Sequence, residues 1–309
     1  MTAWVIYRHS LSGLTEKDYE IHRLIDEAEK LNFRLEVFSP EQFEIIVNRE
    51  DRKSILIDGQ TIQLPDFVIP RLGAGTSYFA LSVIRHFERL GVYVLNSSLA
   101  IDTVKDKLFT VQIMAENGFP IPNTILAKFP IDMSVLDKHF KFPLVVKSLS
   151  GSKGSGVFLC KEREMFEDLL ALIQEANPKS NFILQEYISH SHGRDLRVLV
   201  LGGQVLCAME RKSQNDGFKA NYSLGGTTHF YEVDKALEAL VLQIASVLAL
   251  DFSGIDLLFD QDGFKVCEVN SSPGFKGMEL ANERNIAKEL LLFASKNSQS
   301  KIIAKEINT

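Results

Sequence analysis

Short continuous hydrophobic runs alternate with stretches of helical spacing over the first part of the chain. The runs at residues 3–7 and 34–38 predict buried strands, and between them apolar residues recur on one helical face: Ile21, Leu24, Ile25, Ala28 and Leu31. A strand at 67–69, a helix at 76–90 and a strand at 92–95 follow. This βαβ order predicts a small parallel-sheet domain. The glycine fingerprint of dinucleotide-binding sheets is absent after the first strand, so the topology alone predicts no NAD site.

The next hydrophobic pattern predicts a helix at 102–116 and a hairpin of two strands at 144–147 and 157–160. The residues between the two strands are mostly glycine and serine, and no helix follows them, so they do not form a Walker A loop. Backbone N–H groups of such a segment can fold over phosphates as a mobile flap. A flexible surface hairpin is the alternative interpretation of the same composition.

Two lysines lie close to this glycine-rich hairpin. Lys147 ends an apolar run, where its charge must leave the core or meet an anion, and Lys107 lies on the predicted preceding helix. Either lysine alone is more typical of a solvated surface. Further strands are predicted at 182–186, 198–201 and 205–210, and the last of them delivers Arg211, a candidate clamp for a phosphoryl group or an oxyanion.

Two apolar runs surround a polar turn at residues 260–263 and predict a hairpin. If the turn closes with Asp260 opposite Phe264, Asp256 falls opposite Glu268 on the neighbouring strand. The two carboxylates then lie about 5 Å apart. Like charges in this position destabilise a sheet unless a cation lies between them.

Asn270 lies on the same face as this acidic pair, because side chains repeat every two residues along a strand. Two carboxylates and an amide oxygen form an all-oxygen set that suits Mg²⁺ or Mn²⁺. The alternative is that both acids point into solvent on an exposed hairpin. The apolar residues around them and the polar turn after Asn270 favour a ligand site.

Composition narrows the class of protein. The 309 residues predict two or three domains, and 45% hydrophobic with 24% charged residues argues against disorder. A net charge of −6 argues against general nucleic-acid binding. The sequence shows no signal peptide and no membrane-spanning run, so we expect a cytoplasmic enzyme without a membrane partner, and a homo-oligomer is compatible with the chain. The cysteines lie in apolar runs and are expected to be reduced core residues: Cys160, Cys207 and Cys267.

Taken in order along the chain, these motifs resemble the ATP-grasp superfamily, and within it the RimK-type carboxylate–amine (glutamate) ligases. The similarity covers roughly residues 96–290. It implies an α/β (α+β ATP-grasp) fold: an N-terminal pre-ATP-grasp βαβ domain at 1–96, a central subdomain with the flap at 97–181, and a C-terminal subdomain with the metal site at 182–309. The nucleotide is expected between the two ATP-grasp subdomains.

The resemblance also implies site residues. Those implied to bind ATP are Lys107, Lys147, Ser152, Gly154, Ser155, Gly156, Glu186, Tyr187, Ile188, Asp195, Lys219 and Asn221. Those implied to take part in catalysis are Arg211, Lys147 and Asn221, and those implied to bind metal are Asp256, Glu268 and Asn270. Lys219 stands in place of a family arginine, so carboxylate recognition there is expected to differ. The first 95 residues are implied to help shape the acceptor site, with these positional candidates: Arg8, His9, Arg71 and Gly73.

The implied activity is that of an ADP-forming acid–amino-acid ligase that uses ATP and Mg²⁺ or Mn²⁺, with two ions expected. A carboxylate attacks the γ-phosphate to give an acyl phosphate, and an amine then displaces phosphate to form an amide. Glutamate or a similar amino acid is added to a protein, peptide or small-molecule acceptor. The alternatives are an ATP-binding regulatory module without ligation and a phosphotransferase that uses the same cleft. Retention of both acids, Asn270 and Arg211 favours the ligase.

Overall fold

The structure is a computed structural model that describes residues 1–47, 54–149, 156–214, 217–220 and 225–307. Its strands are β1 (Thr2–Ile6), β2 (Arg34–Phe38), β3 (Phe43–Ile45), β4 (Ile55–Ile57), β5 (Gln60–Thr61), β6 (Phe67–Pro70), β7 (Tyr93–Val94), β8 (Thr124–Lys128), β9 (Leu144–Ser148), β10 (Val157–Cys160), β11 (Asn181–Glu186), β12 (Arg194–Leu201), β13 (Gln204–Lys212), β14 (Thr227–Phe230), β15 (Phe252–Asp260) and β16 (Gly263–Asn270). Its α-helices are α1 (Tyr19–Lys30), α2 (Tyr78–Arg89), α3 (Ser98–Lys105), α4 (Lys107–Glu116), α5 (Met133–His139), α6 (Arg163–Ala176), α7 (Lys235–Val247), α8 (Lys276–Asn282) and α9 (Ile286–Ile307).

The first sheet has the order β2-β1-β6-β7 and is parallel throughout, which confirms the predicted parallel sheet. Successive residues of β1 point to opposite faces, and both faces are covered. Ala3 and Val5 pack with α1 and α9, whereas Trp4 and Ile6 pack with α2. Both faces are therefore buried by helices, as expected for a parallel sheet. A small antiparallel sheet of β3, β4 and β5, which the sequence analysis did not predict, lies beside it.

The last helix returns to the first sheet. Ile286, Leu290 and Ala294 of α9 are fully buried in the same cluster as Ala3 and Val5 of β1. The C-terminal helix thus completes the core of the N-terminal domain. The division at residues 96 and 181 stays a prediction, and β11, which begins at residue 181, pairs with β8 and β9 in the central sheet.

The predicted helix at 102–116 is wrong in one respect, because it is two helices. Asp106 has φ −83° and ψ 104°, outside the helical region, and its carboxylate accepts a hydrogen bond from the backbone N–H of Phe109 at 2.9 Å. Aspartate is a favoured N-cap because it satisfies a backbone donor that the helix leaves free. The break makes Lys107 the first residue of α4.

The central sheet is antiparallel, with the order β10-β9-β11-β8. One face packs on α5 and α6 through Leu144 and Val146. The alternate residues of β9, Val145 and Lys147, point to the other face and line a cleft. Alternate side chains of β9 thus face either the hydrophobic core of the central sheet or the cleft.

The C-terminal sheet is also antiparallel, with the order β14-β13-β12-β15-β16. One face packs on α7, and on the other face Leu199 and Met209 pack against the N-terminal domain. β12 begins at Arg194, not at 198, and β13 extends to Lys212, not to 210. The predicted bounds were too short because the charged ends of both strands carry no hydrophobic signal, although their backbones remain paired.

Asn96 joins the end of the N-terminal domain to the C-terminal sheet. It is 1% exposed, and its side-chain amide donates to the carbonyl oxygens of Phe252 at 2.6 Å and Ser271 at 2.8 Å. Its Oδ1 accepts from the backbone N–H of Phe252 at 2.7 Å. One side chain therefore satisfies buried polar groups at the start of β15 and in the turn after β16.

We predict that Asn96→Ala lowers the free energy of unfolding by about 2–4 kcal/mol, because buried backbone groups of Phe252 and Ser271 lose their partner. Urea denaturation measures the change. Asn117→Ala is the matched control, because it removes a hydrogen bond that lies in solvent at the end of α4. Its effect should stay within about 0.5 kcal/mol. Equal effects of the two substitutions would contradict the conclusion that Asn96 stabilises the fold by bonding to buried backbone groups.

Candidate active site

A single cleft between the central and C-terminal sheets brings together most of the sequence-predicted site residues. Its lining includes Lys107, Lys147, Glu186, Tyr187, Ile188, Asp195, Arg211, Lys219, Asp256 and Glu268. Gly156 and Asn270 lie outside this lining, Gly156 just before β10 and Asn270 at the end of β16. Ser152, Gly154, Ser155 and Asn221 lie outside the described residues.

The hairpin of β15 and β16 forms one wall of the cleft, and Asp256 pairs with Glu268 as predicted. The predicted turn register was wrong, because Asp260 pairs with Gly263 and not with Phe264. A register shift next to Asp256 leaves Cys267 as an extra residue on β16 and brings Glu268 back opposite Asp256. A bulge of this kind adds one residue to one strand and re-aims the side chains after it.

Two arginines hold the Asp256 carboxylate. Arg197 donates from Nε to Oδ1 at 2.6 Å and from Nη2 to Oδ2 at 2.7 Å, and Arg211 Nη2 lies 3.0 Å from Oδ2. Burial of the carboxyl acts to raise its pKa, but the charges and hydrogen bonds of Arg197 and Arg211 outweigh burial and lower the pKa of Asp256 to about 2. Asp256 is therefore ionised at neutral pH.

These contacts correct one step of the sequence argument. From the sequence, repulsion between Asp256 and Glu268 predicts a cation beside them and favours a metal ion, but Arg197 and Arg211 already supply positive charge beside Asp256. Sequence reasoning also missed Arg197 as a site residue. The signal was present: Arg197 lies two positions after Asp195, so both residues share one face of β12. Its partner could not be named without the pairing of β12 with β15.

Arg211 lies inside β13 opposite Asp195 and is 4% exposed. Its Nε and Nη2 donate to the two carboxylate oxygens of Asp195 at 2.6 and 2.7 Å. Burial opposes the charged form, but Asp256 and Asp195 raise the pKa of Arg211 and keep it charged. Such a bidentate pair fixes the plane of the guanidinium, and among the described residues Nη1 makes no hydrogen bond.

Both predicted lysines reach the cleft. Lys147 Nζ donates to Gln185 Oε1 at 2.5 Å and lies 3.7 Å from Cys267 Sγ. Lys107 Nζ lies 3.5 Å from the carbonyl oxygen of Leu149. The charge of Lys147 is thus held on the cleft face of the central sheet by an uncharged amide oxygen.

Glu268 makes no hydrogen bond or ion pair among the described residues. Its side chain opens onto the cleft, yet the surrounding protein desolvates it, and this desolvation together with the charge of Asp256 raises the pKa of Glu268. Lys107 and Lys147 oppose that shift. Asn270 Nδ2 is buried and finds no hydrogen-bond partner in the described ranges. Two polar groups next to Asp256 therefore have no partner among the residues that the structure describes.

The predicted adenine end of the cleft is held by polar contacts. Glu186 Oε2 accepts from Lys265 Nζ at 3.0 Å and from the backbone N–H of Asn123 at 3.1 Å. Tyr187 hydrogen-bonds through its hydroxyl to His192 Nδ1. These bonds fix the segment that links β11 to β12. Lys219 lies 5.9 Å from the ring centroid of Phe158, within the range of a cation–π contact.

The sheets that enclose this cleft occur together in solved ATP-grasp enzymes. The ATP-grasp ligase PsnB, complexed with minimal precursor, Mg and ADP, superposes with a TM-score of 0.72 at 19% identity and covers 96% of this chain and 98% of its own. D-alanine–D-alanine ligase from Bacillus anthracis gives a TM-score of 0.66 at 18% identity, with 99% and 97% covered. This similarity confirms the predicted ATP-grasp fold.

Residues 104–293 match the RimK-like ATP-grasp domain and residues 11–101 match the RimK PreATP-grasp domain, so this chain belongs to the RimK-like ATP-grasp family. A probable alpha-L-glutamate ligase 2 from Shewanella sp. (strain W3-18-1) is 34% identical over 280 residues, which are 90% of this chain and 92% of that protein. The protein is an ATP-grasp ligase, as predicted. Enzymes of this family use ATP and a divalent metal. Across the described residues we find no helix whose length and apolar character would let it cross a membrane.

We predict that Arg197→Met destabilises the fold by about 2–4 kcal/mol at pH 7, because it leaves a buried carboxylate short of its main partner. The folded-state pKa of Asp256 is depressed to about 2, so the stability that Arg197 contributes is present above the unfolded pKa of about 4. This contribution to stability is lost as the pH falls through the pKa that Asp256 has in the folded protein.

Denaturant titrations of both proteins at several pH values measure this dependence. The difference between wild type and Arg197→Met should be full at pH 7 and should shrink as the pH falls from about 4 towards 2. Arg163→Met is the control, because Arg163 pairs with Asp137 on the surface, where such pairs contribute little. A difference that does not change with pH would show that Asp256 is not the group that Arg197 stabilises.

Proposed function

We propose that this protein is an ATP- and Mg²⁺-dependent carboxylate–amine ligase that forms an amide bond through an acyl-phosphate intermediate. One observation supports this proposal most strongly. Three cationic side chains line the same cleft as a facing pair of carboxylates: the cations are Lys107, Lys147 and Arg211, and the carboxylates are Asp256 and Glu268. Phosphoryl transfer needs positioning and charge neutralisation and no protein nucleophile. The cleft offers this chemistry.

In this proposal ATP lies between the central and C-terminal sheets. Lys107 and Lys147 contact its phosphates, and the segment at residues 185–188 holds the adenine. The glycine-rich residues 150–156, Lys219 and Asn221 complete the nucleotide site. Lys147 supports this assignment, because its only described oxygen partner is the neutral amide of Gln185, which leaves its charge for an anion.

The metal ligands in this proposal are Asp256, Glu268 and Asn270. Glu268 has no protein partner among the described residues. Asn270 lies at the end of the same strand, where its amide oxygen is a third candidate ligand. Asp256 Oδ1 accepts one hydrogen bond, from Arg197, so a second lone pair remains available. These oxygens fit Mg²⁺ or Mn²⁺, which would neutralise charge on the phosphates. We propose two ions, the number suggested by the family resemblance.

Arg211 acts at the reacting phosphoryl group and then at the tetrahedral oxyanion. Asp195 fixes its orientation through two hydrogen bonds, and Asp256 adds a third contact, so the donor needs no reorganisation during the reaction. The acid substrate attacks the γ-phosphate, ADP leaves, and the amine then attacks the acyl carbon and displaces phosphate. Closure of the cleft excludes water, which would hydrolyse the acyl phosphate.

The relatives suggest the substrates. Several of them carry the name alpha-L-glutamate ligase, so we propose L-glutamate or a similar amino acid as the amine. Solved structures of the ligase PsnB and of the macrocyclase MdnC contain precursor peptides. We therefore propose an acceptor with a free carboxyl group, on a peptide, a protein or a small molecule.

A substrate screen tests the proposed function. ADP and phosphate release is measured for amino acids paired with candidate acids, and amide products are detected by mass spectrometry. The proposal predicts ADP release and an amide only when both substrates are present. A stable phosphorylated product from one substrate would instead indicate a phosphotransferase. ATP binding without turnover for every pair would indicate a regulatory module.

Glu268→Gln is predicted to abolish turnover while the fold stays intact, because an uncharged amide is a poor ligand for a hard divalent cation. Steady-state ADP release with Mg²⁺ measures activity, and circular dichroism monitors the fold. The matched control is Glu238→Gln on the solvent side of α7, which should keep wild-type activity. Full activity of Glu268→Gln would remove this residue from the metal site.

Arg211→Ala and Arg211→Lys are predicted to lower kcat strongly, by about 10²-fold or more for alanine, with a much smaller change in ATP affinity. Lysine should restore only part of the rate, because a point charge cannot bridge two oxygens as a planar guanidinium does. Arg211 is buried between two carboxylates, so kcat is measured at a temperature at which each variant remains folded. A folded variant with the wild-type kcat would show that Arg211 is structural only.

A further inference from the structure

The parallel sheet of the N-terminal domain contains a reversal of strand order that the proposed nucleotide site does not use. From β1 the chain moves to β2 on one side, and later to β6 on the other side, so the strand order reverses between β1 and β6. In open α/β sheets, ligands bind outside the carboxyl ends of the strands at such a switch point. Arg8 follows β1 and Arg71 follows β6, and the backbone N–H of Arg71 donates to the carbonyl of Ile6 at 2.8 Å.

Arg71 is a buried cation that forms no ion pair with any described residue. It is 7% exposed, its Nη2 donates to the carbonyl oxygen of Pro273 at 2.7 Å, and its buried Nη1 has no hydrogen-bond partner in the described part of the chain. Its guanidinium lies 5.4 Å from the ring centroid of Phe275. Glu20 is near enough to act on its charge, but Glu20 Oε1 already accepts from the backbone N–H of Phe275 at 2.9 Å. Burying a charge without an ion-pair partner raises the free energy of the folded protein, so we expect an anion to bind at this site.

Arg8 supplies a second cation at the same edge of the sheet. Its side chain is 56% exposed, and its one described ion pair joins Nη2 to Asp18 Oδ1 at 2.7 Å. Asp18 Oδ1 also accepts from the hydroxyl of Tyr7 at 2.7 Å, which fixes Tyr7 and Arg8 side by side. Tyr7 in turn acts on the charge of Arg71. Arg8 is exposed and Leu72, the residue after Arg71, is half-buried, so solvent reaches the residues beside Arg71.

We propose that Arg71 and Arg8 form a subsite for a ligand carboxylate other than the carboxylate that the ligase activates. This group belongs either to the incoming amino acid or to an acceptor that carries two carboxylates. The ligand's identity rests on the proposed ligase function, whereas the need for an anion rests on the burial of Arg71.

The position of the subsite suits such a role. Arg71 bonds to Pro273 in the turn that follows β16. Pro273 packs closely on Gly254, because a Cβ added at Gly254 would lie 2.5 Å from Pro273 Cβ, and Gly254 is the register partner of Asn270. A ligand anchored on Arg71 therefore lies beside the end of the hairpin at which we propose the metal.

Binding without turnover tests the subsite directly. Calorimetric titrations with L-glutamate and glutarate are run with and without Mg·ADP on wild type, Arg71→Met and Arg8→Met. Methionine keeps an apolar stem against the rings of Phe252 and Phe275 and removes the charge. We expect wild type to bind at least one of the two probes and both variants to bind it at least about tenfold more weakly.

Arg34→Met is the matched control, because Arg34 is an exposed arginine at the amino end of β2 and pairs with Glu36. It should bind the probes as wild type does. No binding by wild type under either condition, or unchanged binding by Arg71→Met and Arg8→Met, overturns the subsite. Binding of inorganic phosphate in preference to both carboxylates also overturns it. If Arg71→Met does not fold, the exposed Arg8→Met decides the question.

Kinetics then identify the source of the carboxylate. If it belongs to the amino acid, Arg71→Met raises the KM for the amino acid and leaves the KM for the acceptor near the wild-type value. The reverse pattern assigns the carboxylate to the acceptor. An unchanged KM for both substrates contradicts the proposal.

The subsite and the proposed ligase function can fail separately. Probe binding that depends on Arg71, in a protein without ligase activity, would refute the proposed function and retain the subsite.

Discussion

Two linked arginine–aspartate pairs fix the charges on which the whole cleft depends. Arg211 binds Asp195 and Arg197 binds Asp256, each through two hydrogen bonds of 2.6 and 2.7 Å, and Arg211 also approaches Asp256 at 3.0 Å. Breaking a buried pair of this kind is costly even where its net contribution to stability is small. The network therefore positions Asp256 and Arg211 before any ligand arrives, and leaves Glu268 as the carboxylate without a described partner.

The same face of the C-terminal sheet serves two purposes. At one end it carries the charged network, and at the other end Leu199 and Met209 pack against the N-terminal domain. Contacts from that domain end on the turn after β16: Asn96 bonds to Ser271, and Arg71 bonds to Pro273. The N-terminal domain thus holds the segment that follows Asn270, and Arg71 at the carboxyl edge of its sheet contacts this segment directly.

The sequence was sufficient for some features and not for others. The assumed turn register placed Asp256 opposite Glu268, and this pairing is right only because the bulge at Cys267 offsets the wrong register at the turn. A bulge leaves no mark in a hydrophobic pattern, so the sequence did not reveal Cys267 as the extra residue. The break at Asp106 was missed because helical spacing continues through it. The role of Arg197 depends on β12 lying next to β15, and the packing of α9 depends on contacts between the two ends of the chain. Both depend on contacts between residues that are far apart in the sequence, and no local pattern predicts such contacts.

We propose that the preformed network of Arg197, Arg211 and Asp256 presents Glu268 and Asn270 to a metal-bound nucleotide. A crystal structure with Mn²⁺ and a non-hydrolysable ATP analogue, solved with anomalous data, tests it most directly. We expect an anomalous peak within about 2–2.5 Å of an oxygen of Glu268, with Asp256 and Asn270 also in reach. An ordered nucleotide whose metal lies away from all three residues would contradict it.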